Sequence, residues 1–452
     1  MEPNALARLV GSVPEFAEHV WGQRAQLWPG ASGADGWPDL LTLGDVDELL
    51  SVRGLRTPFL RMAKSGQTLD ERRFTTGGGV GAGIADQVAD DEVFRQFADG
   101  STIVLQALHR NWPPVIGFAQ ALAGDLGHPV QVNAYVTPPQ SQGFAAHYDV
   151  HDVFILQVAG TKEWTVHEPV HRWPTRDQTW DRYAAQVAER AGTEPALSAI
   201  LKPGDCLYLP RGYVHSAVAQ GVVAAHLTVG VHTWTGLDLT RSLLDAALAD
   251  LTAGEAVRAP LPLGIAVDDP EGLHEAFAPA RERLIEVLRA IDQAEVARRL
   301  AARVRATQRA EPVRPVASAE FARRLDANGG LRYRRHLALR TSVTDGGSAV
   351  LRGRGVDVTV PAVDAALLRA IPSERPFTPA ELAGTCDGAL DAAVDLCRRL
   401  MLAGVLVPAV DFDGPARGAF QPHEGLTSDR RATDERLMRD RRATDGRRRG
   451  AD

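Results

Sequence analysis

Between Ser101 and about His232, short apolar or alternating runs are separated by proline, glycine and asparagine. Examples are VQVNAYVT, FILQVAG, CLYLP and AAHLTVGVH. Alternation has the two-residue period of a strand, and breakers at this spacing mark turns. The pattern therefore predicts many short strands in a β-sandwich or barrel over residues 101–236. A polar stretch at 176–200 favours a helical insert between two of the strands.

The segments on either side of this region predict helices. In residues 1–100, Leu6, Leu9, Val13 and Phe16 recur at helical spacing, and the GGG run at 77–79 marks a loop. This segment is predicted to be a helical, loop-rich lead-in that packs on the barrel. Residues 237–310 return to a helical period, and one long amphipathic helix is expected over 280–306.

The last third of the chain divides into two parts. After a proline-containing link, residues 318–412 combine strand-like runs with two helices and the strand-like VLVP, an order that suggests a winged-helix domain. In residues 413–452 the motif DRRATD occurs twice, with almost no large apolar side chain. We expect this Arg/Asp-rich tail to be disordered, because it cannot bury enough surface to offset its ordering entropy. The predicted fold class is therefore α+β.

Composition narrows the possible environments of the protein. The chain is 44% hydrophobic and 24% charged, which excludes a mainly disordered or coiled-coil protein. It has no apolar run long enough to span a membrane and no secretory signal. Three widely spaced cysteines form no disulfide framework, so we expect a reducing, cytoplasmic location. The net charge of −7 argues against a general nucleic-acid-binding surface.

Histidines concentrate in the strand-rich region, most densely in the segment HYDVHD at 147–152. If this segment is a strand, His147, Asp149 and His151 lie on one face, and His147 and Asp149 are close enough to bind one ion. The third ligand is expected to be His215, which follows the turns of KPGDCLYLPRGYVH. Two histidines and one carboxylate form a facial triad that leaves open positions on Fe(II).

Other polar residues are candidates for the surroundings of such an iron. A chelating 2-oxo acid needs a fixed cation for its far carboxylate, and Lys162 is one of only three lysines. Asn133 and Tyr135 alternate on the preceding strand and share a face, where they bond the chelated acid or shape the substrate pocket. The remaining candidates are Thr228, as a further polar group for the 2-oxo acid, and His151 and His226, as residues that support the ligands.

The segments NAYVTPPQSQGFAAHYDVHDVFILQVAGTKEW and LKPGDCLYLPRGYVHSA resemble the Jumonji-C ribosomal oxygenases. The resemblance covers roughly residues 10–410 and is densest between 100 and 235. It implies a double-stranded β-helix (jelly-roll or cupin) barrel, a helical dimerisation region and a winged helix used mainly for protein contact. It also implies that the ligands are His147, Asp149 and His215, and that Lys162 binds the far carboxylate of 2-oxoglutarate. The family's pocket asparagine and tyrosine fall on Asn133 and Tyr135.

By the same resemblance, the protein is expected to be an Fe(II)- and 2-oxoglutarate-dependent dioxygenase that uses O2. Its substrate would be an arginine or histidine side chain of a large-subunit ribosomal protein, and it would act as a homodimer. Two alternatives remain open. One is the same chemistry on a small molecule or a biosynthetic peptide. The other is a non-catalytic cupin-like metal or ligand sensor whose winged helix binds DNA.

The sequence of the second predicted helix of the winged-helix domain bears on the sensor hypothesis. In this helix Arg398 and Arg399 are offset by Asp391 and Asp395, which makes a poor phosphate-binding face. The basic segment RYRRHLALR ahead of it keeps DNA contact possible. Because Asp391 and Asp395 offset the two arginines and the net charge is −7, we nevertheless expect no DNA binding.

Overall fold

The structure is a computed structural model that describes residues 4–33, 35–64, 66–139, 141, 144–386 and 389–409. The tail that the sequence predicts to be disordered, 413–452, lies outside the described residues. None of the described helices is both long and apolar enough to cross a membrane.

The N-terminal segment alternates helices with short strands. In chain order these are α1 (Ala5–Val10), α2 (Val13–His19), β1 (Gln26–Trp28), α3 (Leu43–Ser51), β2 (Leu60–Lys64), β3 (Gln67–Thr68), a 3-10 turn (Glu71–Arg73), β4 (Thr75–Thr76), β5 (Gln87–Val88) and α4 (Asp90–Ala98). Helix α3 begins with a reciprocal capping box between Thr42 and Asp45, which satisfies two backbone donors that the helix leaves free.

The strand-rich region follows. Its elements are β6 (Thr102–Leu105), α5 (Leu108–Asn111), α6 (Pro113–Leu126), β7 (Val130–Thr137), β8 (Asp152–Ala159), β9 (Lys162–His167), a 3-10 turn (Trp180–Tyr183), α7 (Ala184–Ala191), β10 (Leu197–Leu201), β11 (Cys206–Leu209), β12 (Val214–Ala219) and β13 (Ala224–Val231). The predicted insert at 176–200 is only partly helical, because its last residues form β10, which pairs with β9.

Two antiparallel sheets make the barrel. The large sheet has the strand order β1-β11-β8-β13-β7-β6-β2-β3, and the small sheet has the order β10-β9-β12. Strand β8 is buried along nearly its whole length, because it lies between β11 and β13 in the middle of the large sheet. A cluster of Val153, Ile155, Trp164 and Val166 packs between the sheets. This arrangement agrees with the expected jelly-roll fold.

The lead-in is less separate from the barrel than the sequence predicts. Strand β1 pairs with β11 at one edge of the large sheet, and β2 pairs with β6 near the other edge. Strand β2 has the sequence LRMAK, whose two cations interrupt the apolar pattern, so its periodicity was too weak to identify. Residues before Ser101 therefore belong to the barrel itself.

The helical region comprises α8 (Gly236–Ala253), α9 (Glu255–Arg258), α10 (Pro270–Ala290) and α11 (Gln293–Thr307). The prediction of one continuous helix over 280–306 is wrong. Ile291 is extended, and the Asp292 side chain accepts a hydrogen bond from the backbone N–H of Ala294, which starts α11. Asp is a favourable N-cap, so a residue that looks like part of a polar face divides the helix here.

The C-terminal part begins with α12 (Pro315–Arg324), β14 (Leu331–Tyr333), β15 (Arg340–Val343), β16 (Ala349–Gly353) and β17 (Val356–Val360). A 3-10 turn (Ala362–Asp364), α13 (Ala365–Ala370), α14 (Pro379–Thr385), α15 (Leu390–Leu402) and β18 (Leu406–Pro408) complete it. Both predicted helices and the strand after them are present, and β18 pairs with β14 over a separate apolar core. That this part is a winged-helix domain remains a prediction.

Candidate active site

The segment HYDVHD does not form a regular strand before Asp152. The prediction that His147, Asp149 and His151 share one strand face is therefore wrong. His147 makes an isolated antiparallel bridge with His215, with N–O distances of 3.1 and 2.8 Å. After it the backbone leaves the sheet until β8 begins at Asp152. The carbonyl of Asp149 accepts from Gly212 N–H in the turn before β12. These hydrogen bonds join two distant segments of the chain at the site.

The bridge brings three predicted ligands together. One ligand atom from each of His147, Asp149 and His215 lies within 4.8 Å of the others. Nδ1 of His147 is 2.8 Å from the carbonyl oxygen of Ala145, and Nδ1 of His215 is 3.0 Å from that of Tyr213. Each Nδ1 therefore donates to a carbonyl, which leaves Nε2 of each imidazole with a free lone pair.

The electrostatic environment suits cation binding. Burial lowers the pKa of His215 to about 4, so its imidazole is neutral at physiological pH. Burial alone raises the pKa of Asp149, but the charges of His151, His147 and His215 outweigh it and the net pKa is below the usual value. The His215 imidazole is thus neutral and Asp149 is present as a carboxylate, and both are forms that bind a divalent metal.

An ion pair between Asp152 and Arg211 lies close in sequence to the metal-ligand residues. The Asp152 carboxylate is 1% exposed and accepts hydrogen bonds from the Tyr208 hydroxyl and from Arg211, whose guanidinium nitrogen lies 3.4 Å away. The same guanidinium donates to the Thr233 hydroxyl at 2.6 Å. The network ties β8, just after Asp149, to the turn that precedes His215. Sequence reasoning missed it, because nothing in the pattern indicates that Asp152 faces inward.

The three ligands line a cavity of about 350 Å³ inside the barrel, and Lys162 lines the same cavity. Lys162 is 4% exposed, and its ammonium donates to the Thr137 hydroxyl at 3.1 Å. Burial lowers its pKa to about 7. Among the described residues, no carboxylate forms an ion pair with it. Burying a cation without a counterion in the protein costs free energy. We therefore expect an anionic ligand to bind beside Lys162.

The remaining predicted residues divide into two groups. Tyr135, His226 and Thr228 line the cavity, and the rings of Tyr135 and His226 stack with centroids 5.1 Å apart. Asn133 and His151 are not among the described residues that line it. The Asn133 carboxamide oxygen instead accepts from Ala107 N–H at 3.0 Å, and the His151 ring packs against His232.

Several cavity residues were not identified from the sequence. They are Arg61, Gly66, Thr68, Thr102, Phe144, Val153, Ile155, Trp164, Trp180, Ser216 and Ala217. Arg61 comes from β2 and Trp180 from the insert, so long stretches of chain separate them from the ligands. No local spacing rule connects such residues, because only the fold brings them together.

A jelly-roll barrel whose cavity contains a His-Asp-His cluster indicates a cupin-like metal-binding protein. Residues 118–239 match the family model described as the JmjC domain. The resemblance inferred from the sequence is thereby confirmed.

Particular relatives agree with this class. Over 173 residues the chain is 35% identical to ribosomal oxygenase 1 of Rattus norvegicus, an alignment that covers 37% of this chain and 28% of the relative. It is 36% identical over 170 residues to the bifunctional lysine-specific demethylase and histidyl-hydroxylase NO66 of Aedes aegypti, covering 35% of this chain and 25% of that protein. The chain thus spans about a quarter of the length of these relatives.

A solved structure extends the likeness in fold beyond the barrel. The X-ray structure of E. coli ycfD superposes with a TM-score of 0.51 at 16% identity, covering 87% of this chain and 97% of that chain. At this identity the match concerns the fold alone. It supports the jelly-roll architecture.

Proposed function

We propose that this protein is an Fe(II)- and 2-oxoglutarate-dependent dioxygenase that hydroxylates a side chain of a large-subunit ribosomal protein, an arginine or a histidine. One observation carries the proposal. A single barrel cavity contains both a three-residue metal-ligand set and a buried lysine without an internal counterion. These are the two attachment points that a chelating 2-oxo diacid needs.

The donor set fits iron. Two imidazole nitrogens and one carboxylate oxygen are the ligands of non-haem Fe(II) oxygenases, whereas the structural zinc sites of proteins usually contain thiolates. Cys206 is buried, and burial raises its pKa, so it offers no thiolate. His147, Asp149 and His215 would therefore hold Fe(II) with positions left for 2-oxoglutarate and O2.

Lys162 would bind the far carboxylate of 2-oxoglutarate. Its ammonium is already directed by the Thr137 hydroxyl, which in turn accepts from the Thr102 hydroxyl at 3.4 Å. Thr228, which also lines the cavity, supplies one more hydroxyl to the co-substrate. For Asn133 we infer an indirect role, because its carboxamide oxygen supports the turn at Ala107.

The chain's own groups then prepare the site for reaction. Bound iron supplies the activation of O2 coupled to decarboxylation of the 2-oxo acid. Tyr135 shapes the pocket, and its contact with His226 fixes the ring against the barrel wall. Phe144 and Trp180, whose rings lie about 6 Å from that of His147, exclude water from the side where a substrate enters.

The names of the relatives support a ribosomal protein as substrate. The rat relative is a ribosomal oxygenase, and the mosquito relative is named for a histidyl-hydroxylase activity. The segment that matches the JmjC family model, 118–239, contains all the cavity residues except Arg61, Gly66, Thr68 and Thr102. We therefore extend the substrate class to this chain.

Incubation with Fe(II), 2-oxoglutarate and separated large-subunit ribosomal proteins tests the function. We expect succinate formation and a mass gain of one oxygen on one of these proteins, both absent in the Asp149→Ala variant. Succinate without any modified protein would favour the small-molecule oxygenase. Metal binding without 2-oxoglutarate binding would favour the sensor.

We further propose a homodimer formed through the helical region, with the winged helix serving protein contact in a cytoplasmic protein. Helix α8 and the segment after it expose large apolar side chains, among them Leu244, Leu248, Leu261 and Leu263. Exposed apolar groups at this density mark an interaction surface. Light scattering on the purified chain should give twice the monomer mass, and Leu248→Asp should lower it.

A further inference from the structure

Arg61 is a second cation at the cavity, contributed by a strand that lies outside the predicted barrel. Across adjacent strands of the large sheet, Arg61 pairs with Val104, Val104 with Tyr135, and Tyr135 with His226. Directly opposed residues share a face of a sheet, so this row brings Arg61 to the cavity wall that holds Tyr135. Arg61 and Tyr135 both line the cavity.

Contacts hold Arg61 at this wall without neutralising it. Its guanidinium carbon lies 5.5 Å from the centre of the Phe144 ring, a cation–π distance. Its Nε is buried without a hydrogen-bond partner. Among the described residues, no carboxylate forms an ion pair with Arg61. The charge and at least one donor therefore remain available to a molecule in the cavity.

The charges that line the cavity leave Arg61 without a counterion. Asp149 is the single carboxylate among the described residues that line it, and it belongs to the metal-ligand set. In the proposed function, 2-oxoglutarate matches Lys162 through its far carboxylate and the metal through its near one. Arg61 then remains as a positive charge at the cavity wall that neither the metal-ligand set nor 2-oxoglutarate neutralises.

We propose that Arg61 selects an uncharged imidazole as the substrate side chain, so that the target is histidine and neither arginine nor methylated lysine. The inference rests on the proposed function. A guanidinium or ammonium would meet a like charge in a partly buried pocket. A neutral imidazole, by contrast, accepts a hydrogen bond from Arg61 through one nitrogen.

The aromatic walls favour the same choice. Phe144 and Trp180 flank His147, and Tyr135 lies edge-on to Phe144 with ring centres 6.0 Å apart. Flat aromatic surfaces pack well against a planar ring. They would also suit a cation, but the face of Phe144 is already in contact with Arg61.

The test identifies the type of residue that is modified. The wild-type chain, Arg61→Gln and Arg61→Glu are each incubated with Fe(II), 2-oxoglutarate and separated large-subunit ribosomal proteins, and modified residues are located by tandem mass spectrometry. We expect hydroxylated histidine with the wild type. In Arg61→Gln, kcat/KM for that substrate should fall about tenfold, the loss expected from one charge-assisted hydrogen bond. In Arg61→Glu we expect hydroxylated arginine to appear.

Arg72→Glu is the matched control, since Arg72 is exposed in the turn after β3 and does not line the cavity. Near-ultraviolet circular dichroism verifies that each variant is folded. Hydroxylated arginine or demethylated lysine with the wild type would uphold the oxygenase but overturn the role of Arg61. So would equal histidine turnover in all Arg61 variants. Absence of any modified protein would instead contradict the proposed function.

Discussion

Two cations near the metal-ligand segment, Arg211 and Lys162, have different surroundings, although the Arg211 side chain is only 14% exposed and Lys162 only 4%. Arg211 is paired with Asp152 and bonded to Thr233, so its charge is matched within the protein. Lys162 has a hydroxyl as its hydrogen-bond partner, and its pKa is lowered to about 7 by burial. The first cation stabilises the fold. The second weakens it, and such a cost is retained where a ligand provides the missing charge.

The difference between the two cations requires that the ion pair of Asp152 and Arg211 stabilises the fold. Asp152→Ala should lower the free energy of unfolding by about 3–5 kcal/mol, because it leaves a partly buried guanidinium unpaired. Denaturant unfolding measures the change. Arg211→Met in the same background should recover part of the loss, since it removes the uncompensated charge. A loss below 1 kcal/mol in the single variant would show that the pair contributes little.

At Lys162, removal of the charge is expected to raise the free energy of unfolding, the opposite of its effect at the Asp152 pair. Lys162→Met should raise the free energy of unfolding at pH 6 by roughly 2–4 kcal/mol, because it removes a desolvated charge. The pKa of Lys162 in the folded protein, about 7, lies below the ordinary lysine value of 10.5, so the cost of the buried charge is largest below pH 7 and declines as the pH rises towards 10.5. The gain from the variant should shrink accordingly above pH 7. A destabilised Lys162→Met would contradict the distinction between the two cations.

Loss of the Asp149 carboxylate should lower the affinity for metal without changing the surroundings of Lys162 or Arg211. Asp149→Ala is expected to weaken Mn(II) binding by more than about 100-fold, the upper range for losing a supporting residue, because a ligand itself is lost. Titration followed by electron paramagnetic resonance measures this. Asp47→Ala is the matched control, since Asp47 is exposed and is not among the described residues that line the cavity. Equal metal affinity in Asp149→Ala would exclude the triad.

The smallest expected effect concerns pH. With a pKa near 7, Lys162 must take up a proton to bind a carboxylate above that pH, so the Kd for 2-oxoglutarate should rise about tenfold per pH unit from pH 7.5 to 8.5. In Lys162→Arg the guanidinium stays protonated, and the Kd should be nearly independent of pH in this range. If the Kd of the wild type for 2-oxoglutarate did not change between pH 7.5 and 8.5, Lys162 would keep its proton in the unliganded protein, which contradicts the prediction.

Most of the barrel and the metal-ligand set could be predicted from the sequence, and the physical reasons can be named. Strands β7, β8 and β13 are long and apolar enough to be predicted from periodicity, and the spacing of His147, Asp149 and His215 indicates a facial triad. The exact course of 147–151 was missed, because hydrogen bonds from a distant turn, such as that of Gly212, determine it. Arg61 was missed because β2 is short and interrupted by charge.

We propose that the metal cluster and Lys162 together form one 2-oxoglutarate site. Anaerobic calorimetry with Mn(II) in place of Fe(II) tests it most directly on the wild type and Lys162→Met. We predict that 2-oxoglutarate binds only when the metal is present and that Lys162→Met weakens binding about 100-fold while metal affinity is retained. Equal 2-oxoglutarate affinity in both proteins, or no binding by the metal-loaded wild type, would contradict the claim.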